Sequence, residues 1–425
     1  MKIRKDIVKC LGLAIFFGIV FRVAFRTPLE DLMYMTEAGV LVVFYGYLFL
    51  YLLGKLMKPK RFSSIEIFLL SLMVFPLLVG YSASKEYHQP LIYGFLAERA
   101  FYLNLSGLVL LSMLRKNTVT LAMVEKSFII LSWALLAAYM LVWLAVDPQK
   151  YADSSLVVFS PEKGGYLFLF NVIFLIFPTI YYAIRYFHTK KTAYILYAAL
   201  FLSYLAFIRQ DRTIIVSLLM GVAVFFLRNF SLKLLLKYTA YATFIVVIIT
   251  SGIYLAKPDF LSRYFATFSN AFLTVAGKAT KEDATNIRLI ETAIAAKQII
   301  KNPYFGNGDL SRRWRNGFER LYGYFYPSDI GLIGVVFIFG VIGTLALNFQ
   351  FLFAYYYVRK ADALNYDAFF QSCKYFLVAL FFDSLSAGHI VFFSAISIIF
   401  IVILYYYYEL LEKERHSIAV GAAQA

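Results

Sequence analysis

The chain is poor in charge and in cysteine, and it has nothing spaced to hold a metal. Of its 425 residues only 16% are Asp, Glu, Lys or Arg, against 61% apolar and 19% aromatic, and mean hydropathy is +0.72. A water-soluble surface cannot be built from that composition, which excludes a soluble enzyme and a nucleic-acid-binding domain. Cys10 and Cys373 are the only cysteines and both lie in apolar segments, so a disulfide scaffold is excluded too. No His or Cys pair has metal-ligand spacing and no cluster of acids suits Mg²⁺, so no cofactor is expected. Ala276-Gly-Lys278 is not a phosphate loop, because Phe272 stands where the first glycine belongs and Ala279 where Ser or Thr belongs. Internal repeats, Pro-rich linkers and low-complexity tracts are absent as well.

What fills the chain is apolar runs, and a bilayer crossing needs about 20 such residues as a helix. The first run goes from Ile7 to Phe25 with no small-residue cleavage site, so it reads as a retained span and not as a signal peptide. Further runs lie near 37–57, 64–81, 98–114, 124–146, 166–186, 192–208, 213–228, 233–255, 329–354, 369–387 and 389–409. The expectation is an all-α polytopic integral membrane protein with about twelve transmembrane helices. Residues 1–256 would hold spans one to nine, 257–327 a long loop, 328–410 spans ten to twelve and 411–425 a cytoplasmic tail.

Charge sets the orientation. With the N-terminus inside, the inner ends and loops carry twenty-two Lys and Arg. The short outer connections carry only Arg22, Arg26, Lys85, Arg99, Lys150, Lys163, Arg209 and Arg212. Positive charge is retained on the cytoplasmic side of short loops, so both termini are expected in the cytoplasm and the 257–327 loop outside. Tyr355-Tyr-Tyr357 and Tyr405-Tyr-Tyr-Tyr408 then fall together at the inner interface, where amphipathic rings prefer to lie. The outer loop holds eleven Lys and Arg against six acids, a net of +5 that points to an anionic ligand.

Within that loop, 286–302 reads as a helix with Thr285 or Asn286 as N-cap and Pro303 as its stop. Arg288, Glu291, Ala295 and Gln298 share one strip of it, so Arg288 and Glu291 either form a surface salt bridge or serve a site. Gly306-Asn-Gly308 is either a helix-ending turn or a place where backbone N–H groups approach a ligand. In 311–325, Trp314, Phe318, Leu321, Tyr322 and Phe325 share a helical face that the arginines avoid. This predicts a basic amphipathic interfacial helix, weakened by Gly317 and Gly323, with aromatic faces for sugars and guanidinium groups for phosphate. Ser328 or Asp329 opens the tenth span, in which Gly331, Gly334, Gly340 and Gly343 allow close packing. Arg209-Gln-Asp-Arg212 is a tight outer turn whose arginines run against the retention bias, and a phosphate role competes there with snorkelling. His389, with Asp383 nearby, is either structural or a proton acceptor.

Three pieces of this sequence carry a resemblance: the Arg209–Arg212 turn before the eighth span, the stretch from Arg288 to Asn302-Pro-Tyr-Phe-Gly-Asn-Gly308, and Ser328-Asp-Ile-Gly-Leu332 opening a glycine-bearing span. Together with a dozen spans and a long late loop, the chain resembles the bacterial O-antigen polymerase and O-antigen ligase superfamily. Family ligases usually place a His-Asn pair where this chain has Ser328-Asp329, and that departure favours polymerase. The resemblance implies a glycosyltransferase of GT-C-like architecture in the bacterial inner membrane. It would join undecaprenyl-diphosphate-linked oligosaccharides into O-antigen or exopolysaccharide on the periplasmic face, without a metal. O-antigen ligase and lipid-linked oligosaccharide flippase are the alternatives, the latter disfavoured because Lys, Asp and Glu avoid mid-span positions. The implied partners are those lipid-linked glycans and membrane lipids, with room for a chain-length regulator.

The chemistry then needs guanidinium groups for the leaving diphosphate, for which Arg288, Arg209 and Arg212 are the candidates. It also needs a proton acceptor: Asp329 first by position, with Glu291 and His389 in reserve. Trp314, Arg315, Arg320 and Tyr322 are the expected glycan or lipid contacts.

Overall fold

Where no water is at hand, every backbone N–H and C=O must be bonded internally, and this chain does so almost wholly with helices. The computed structural model describes residues 2–57, 61–152, 156–160, 165–231, 233, 234, 237, 251, 255, 283–362 and 367–424. In order come α1 (Lys2–Val20), α2 (Glu30–Met57), α3 (Ser64–Leu72), α4 (Phe75–Tyr87), α5 (Leu91–Ala97), a 3-10 stretch (Arg99–Asn104), α6 (Leu105–Arg115) and α7 (Leu121–Ala145). A hairpin of β1 (Val157–Ser160) and β2 (Gly165–Phe168) follows, then α8 (Ile176–Thr189), α9 (Thr192–Ser203) and α10 (Arg212–Asn229). After the gap come α11 (Asp283–Lys301), α12 (Glu319–Tyr322), α13 (Gly331–Asp362), α14 (Ala368–Ser386), α15 (His389–Phe392) and α16 (Ser394–Gln424).

Eight of the described helical segments are long and apolar enough to cross a membrane: Glu30–Met57, Ser64–Tyr87, Leu121–Ala145, Thr192–Arg209, Arg212–Asn229, Pro327–Asp362, Ala368–Ser386 and Ser394–Ser417. Leu91–Ala97 and Arg99–Arg115, bent by 56°, make a ninth if taken as one span. The protein is therefore all-α and polytopic. The expected ninth run, 233–255, and the first part of the long loop lie outside the described residues except at isolated positions.

Three expected spans take other forms. Helix α1 stops at Val20, and with Arg4, Lys5, Asp6 and Lys9 in it the segment is too charged to qualify by composition. The run at 166–186 begins as strand, because Val157–Ser160 and Gly165–Phe168 pair antiparallel with Val157 opposite Phe168; helix starts only at Ile176. The run at 98–114 is the lower limb of the bent pair, with Glu98 at the elbow. The last helix continues past the expected boundary at 410 as far as Gln424.

The centre of the bundle is α16, 83% of whose span is buried, together with α14; α2, at 6%, lies at the periphery with its apolar side chains outward. Rings from α7, α8, α14 and α16 form the core: Phe128 and Phe400 have centroids 5.1 Å apart, and Phe376 and Phe400 4.4 Å.

Candidate functional site

The opening of α13 shapes the site. Pro327 fixes a 3-10 turn (Pro327–Ile330), and Gly331 then takes φ 58°, a left-handed value that a side chain resists. A Cβ on Gly331 would press into the backbone at Leu385 and Ser386, and Gly388 N donates to Ser328 O at 2.8 Å. Backbone lies on backbone there. Ser328-Asp329 is thereby locked against Gly388-His389.

Nine residues into α13, Gly340 adopts φ 65°, ψ 179° and breaks the helix. The segment after α11 fills the break: Asn307 N and Gly308 N donate to Phe337 O (2.8 Å) and Ile338 O (3.0 Å), while Val341 N and Ile342 N donate to Pro303 O (2.8 Å) and Tyr304 O (3.2 Å). Backbone groups freed by the break are thus satisfied by a loop that enters the bundle, as membrane depth requires. The N–H groups of the Gly306-Asn-Gly308 turn are spent within the chain, that of Gly306 on Asn302 O (3.2 Å) and those of Asn307 and Gly308 on α13, and are not offered to a ligand. Gly340 serves as a break, where the sequence pattern suggested only close packing.

Helix α11 differs from expectation at both its start and its face. It already covers Asp283, so neither Thr285 nor Asn286 caps it. Arg288 is exposed, whereas Glu291 and Ala295 are fully buried on the side that packs against α13. No surface ion pair joins Arg288 to Glu291. Glu291 Oε1 accepts from Tyr326 N at 2.8 Å, and its Oε2 is buried with no hydrogen-bond partner among the described residues. Burial pushes the Glu291 carboxyl up to about 7, with the Asp329 carboxylate adding to the rise against the Tyr326 N–H and Arg288.

Beside Asp329, guanidinium groups from distant parts of the chain gather about Arg26. Ser328 Oγ donates to Asp329 Oδ1 at 3.0 Å, and Asp329 lies within electrostatic reach of Arg26, Glu291 and His389. Arg26 comes from the turn after α1. Burial lowers its pKa, and the crowding guanidinium groups of Arg209 and Arg312 lower it further against Asp329 and Glu30. Arg209 ends a π-helical turn (Tyr204–Arg209), a local widening common at functional sites. It reaches Asp211 at only 3.6 Å, and its Nε is buried without a hydrogen-bond partner among the described residues. Asp211 caps α10, accepting from Ile214 N at 3.4 Å, and Arg212 opens that helix in the same turn. Rings cover two of the guanidinium faces: Arg26 lies 5.4 Å over Phe25, and Arg312 4.8 Å over Tyr326.

His389 stands beside this group at the start of α15. Its Nδ1 is 2.8 Å from Asp383 Oδ2; Asp383 is buried, and the imidazole keeps 27% exposure. Burial opposes charge on the ring, but the Asp383 carboxylate outweighs it, with Asp211 and Asp329 adding, and holds the pKa above the ordinary histidine value.

The basic amphipathic helix expected over 311–325 does not form. Arg315, Asn316 and Gly317 all have positive φ, so the chain turns from 312 to 317, and only Glu319–Tyr322 makes a helical turn before Gly323 ends it. Phe318 and Phe325 are buried, but Leu321 is exposed. Trp314 carries Arg315 over its ring at 5.1 Å, Arg320 is exposed, and Tyr322 packs on Phe318 and Phe325 with its hydroxyl 3.5 Å from that of Tyr87. These four line the loop surface, while Arg312 is the loop arginine that reaches the cluster.

Of the residues singled out from the sequence, Arg209, Glu291, Asp329 and His389 come together, Arg212 sits in the same turn as Arg209, and Arg288 acts on Glu291 from the exposed side. Arg26, Arg312 and Asp383 were not singled out as site residues. The signal for the first two was available: each is an arginine on the side where short connections are poor in positive charge. Among the described residues no three His, Cys, Asp or Glu side chains are grouped to hold a metal ion. No family model and no curated protein matches this chain.

Proposed function

We propose that this chain is a membrane glycosyltransferase that joins polyprenyl-diphosphate-linked oligosaccharide repeat units into polymer on the periplasmic face, within a bundle of about twelve spans. The observation that carries this reading is the gathering of Arg209, Arg312 and Asp329 about Arg26, with Asp329 also within reach of His389, at one end of an apolar bundle. A guanidinium that is partly buried and has two further guanidinium groups for neighbours calls for an anion, and planar bidentate donors suit phosphate oxygens. A lipid anchor would place that diphosphate at the end of the bundle while its tail stays in the membrane. As the glycosidic bond breaks, charge grows on the leaving diphosphate, and donors already in place stabilise it without a metal. The acceptor hydroxyl gives its proton to a group beside Asp329.

Deleting the encoding gene in its host and analysing the lipid-linked glycans tests the proposal. Single repeat units accumulating on the diphosphate anchor support polymerisation. Complete polymer left on the anchor would make the chain a ligase, and unextended units confined to the cytoplasmic face would make it a flippase.

A further inference from the structure

We infer that His389 is the proton acceptor of the proposed transfer and that Asp383 is the positioning residue that holds it, an assignment that rests on the glycosyltransferase reading. Three carboxylates and one imidazole compete for the role, and their surroundings separate them. Glu291 is fully buried and its Oε1 is committed to Tyr326 N, so a substrate hydroxyl has no path to it. Asp329 accepts from Ser328 Oγ at 3.0 Å and lies within electrostatic reach of both the ring and Arg26, where its charge answers a guanidinium. Asp383 is 1% exposed. Asp329 and His389 are both half-buried, but His389 is the one whose ring is oriented by a buried carboxylate: Nδ1 faces Asp383 Oδ2 at 2.8 Å, which leaves Nε2 as the nitrogen for substrate.

The surroundings of the pair suit that task. Ile173, Phe351, Leu380 and Phe393 line the cavity next to Asp383 and His389, about 10 Å³ in volume, room for one water at most. In so apolar a pocket the carboxylate acts strongly on the ring. The lock of Ser328 on Gly388 holds the ring to the opening of α13 and so to the guanidinium cluster. The step balances as follows. The acceptor oxygen bonds to the anomeric carbon as its proton passes to Nε2. The bond from that carbon to the phosphate oxygen breaks, and its electron pair leaves with the lipid diphosphate beside Arg26 and Arg209. The imidazolium formed is stabilised by Asp383 and later releases its proton to solvent.

Three carboxylates bear on its titration: Asp383 from α14, Asp329 from the turn before α13 and Asp211 from the turn before α10; Arg99, on the 3-10 segment that α15 packs against, pairs with Glu37 at 3.7 Å. The three carboxylates raise the ring's pKa and outweigh its burial. The rate should therefore climb with pH along a limb lying above about 6.5, the ordinary histidine value.

The test uses the full chain in lipid nanodiscs with purified lipid-linked repeat units. Wild type should form polymer with that limb, His389→Gln should lose it along with at least about 10²-fold in rate, and Asp383→Asn should slow the reaction comparably and move the limb to lower pH. Nitrogen-labelled histidine NMR supplies a readout that needs no turnover: among the four histidines, the signal missing in His389→Gln should titrate above the ordinary value and drop in Asp383→Asn. An active wild type whose rate and pH profile survive Asp383→Asn overturns the inference, as does a His389 titration indifferent to Asp383. A wild type that forms no polymer at all removes the glycosyltransferase reading and the base with it, even if NMR shows the pair intact.

Discussion

The two ends of the bundle handle charge in opposite ways. At one end Arg115 bridges Glu66 (Nη1 to Oε1, 2.5 Å) and Glu409 (Nε to Oε2, 3.0 Å) and donates to Ser63 Oγ; Glu66 also takes Lys55 Nζ at 3.1 Å, Tyr51 Oη at 2.5 Å and Ser63 N at 2.7 Å. Nearby, Asp362 at the foot of α13 accepts from Lys374 (2.8 Å), Gln371 (2.9 Å) and Arg228. These carboxylates are saturated by partners within the chain. At the Asp329 end, by contrast, Arg209 Nε, Glu291 Oε2 and Asp383 Oδ1 are buried without hydrogen-bond partners among the described residues, and the guanidinium groups of Arg209 and Arg312 crowd that of Arg26. Both ends are built from the same residue types, so composition does not separate them. The state of the guanidinium does: Arg115 is bonded on every side and acts as a staple, whereas Arg209 Nε, without a partner among the described residues, leaves a donor for an anion.

The sharpest way to break this contrast is to cut each end. Arg115→Ala takes from the buried Glu66 one of its two cations, leaving Lys55, and uncouples it from Glu409; losing charged hydrogen bonds of this kind costs about 3 kcal/mol. Unfolding in detergent should register that loss, while polymer formed per folded molecule stays near wild type. A drop in specific activity at unchanged stability would place function at the Arg115 end.

At the other end Arg209→Lys keeps the charge and loses the planar fork. Polymer formation should fall about 10²-fold, equivalent to about 2.7 kcal/mol, with stability held within about 0.5 kcal/mol. Arg26→Lys should behave alike. Loss of stability without loss of specific activity would mean that this end, too, is a staple.

A smaller effect separates the ends by pH. The Glu291 carboxyl titrates at about 7 in the folded chain, well above its ordinary value near 4.3. Between those values the folded chain holds a proton that the unfolded chain has released. The associated stability is therefore complete below the ordinary value, is lost as pH rises towards 7, and changes no further above it. The expected fall is on the order of 2 kcal/mol, and Glu291→Gln should abolish it while preserving the bond from Tyr326 N. Unfolding curves from pH 4.5 to 8 measure the slope; a slope that survives the substitution assigns it to another group.

The sequence shows these features unequally, for physical reasons. Helices such as α7 and α14 are legible because about 20 apolar residues in a row leave a membrane segment little choice. The break at Gly340 is not legible, because its backbone partners, Pro303 to Gly308, come from another segment. The helix expected over 311–325 fails because a shared apolar face does not reveal that three consecutive residues will adopt positive φ. In the site, Arg209, Asp329 and His389 stand out as polar residues at span ends. Arg26 looks like any charge flanking a span, and Asp383 looks like the last polar residue of a helix, until Gly388 locks onto Ser328 and brings their neighbours together.

The smallest effect is expected at Arg288. The strip shared by Arg288 and Glu291 suggested one polar face, yet α11 turns Glu291 into the protein and leaves Arg288 exposed, interacting with Glu291 only through space. Lysine at 288 keeps that charge, and an exposed charge is screened, so Arg288→Lys should change stability by no more than a few tenths of a kcal/mol. Polymer formation should stay within about threefold of wild type, against about 10²-fold for Arg209→Lys at matched expression. The pair of substitutions reads directly on where diphosphate sits. If Arg288→Lys instead abolishes polymer while Arg209→Lys spares it, the grip on diphosphate lies on the exposed face of α11, and the cluster around Asp329 belongs with the staples at the Arg115 end.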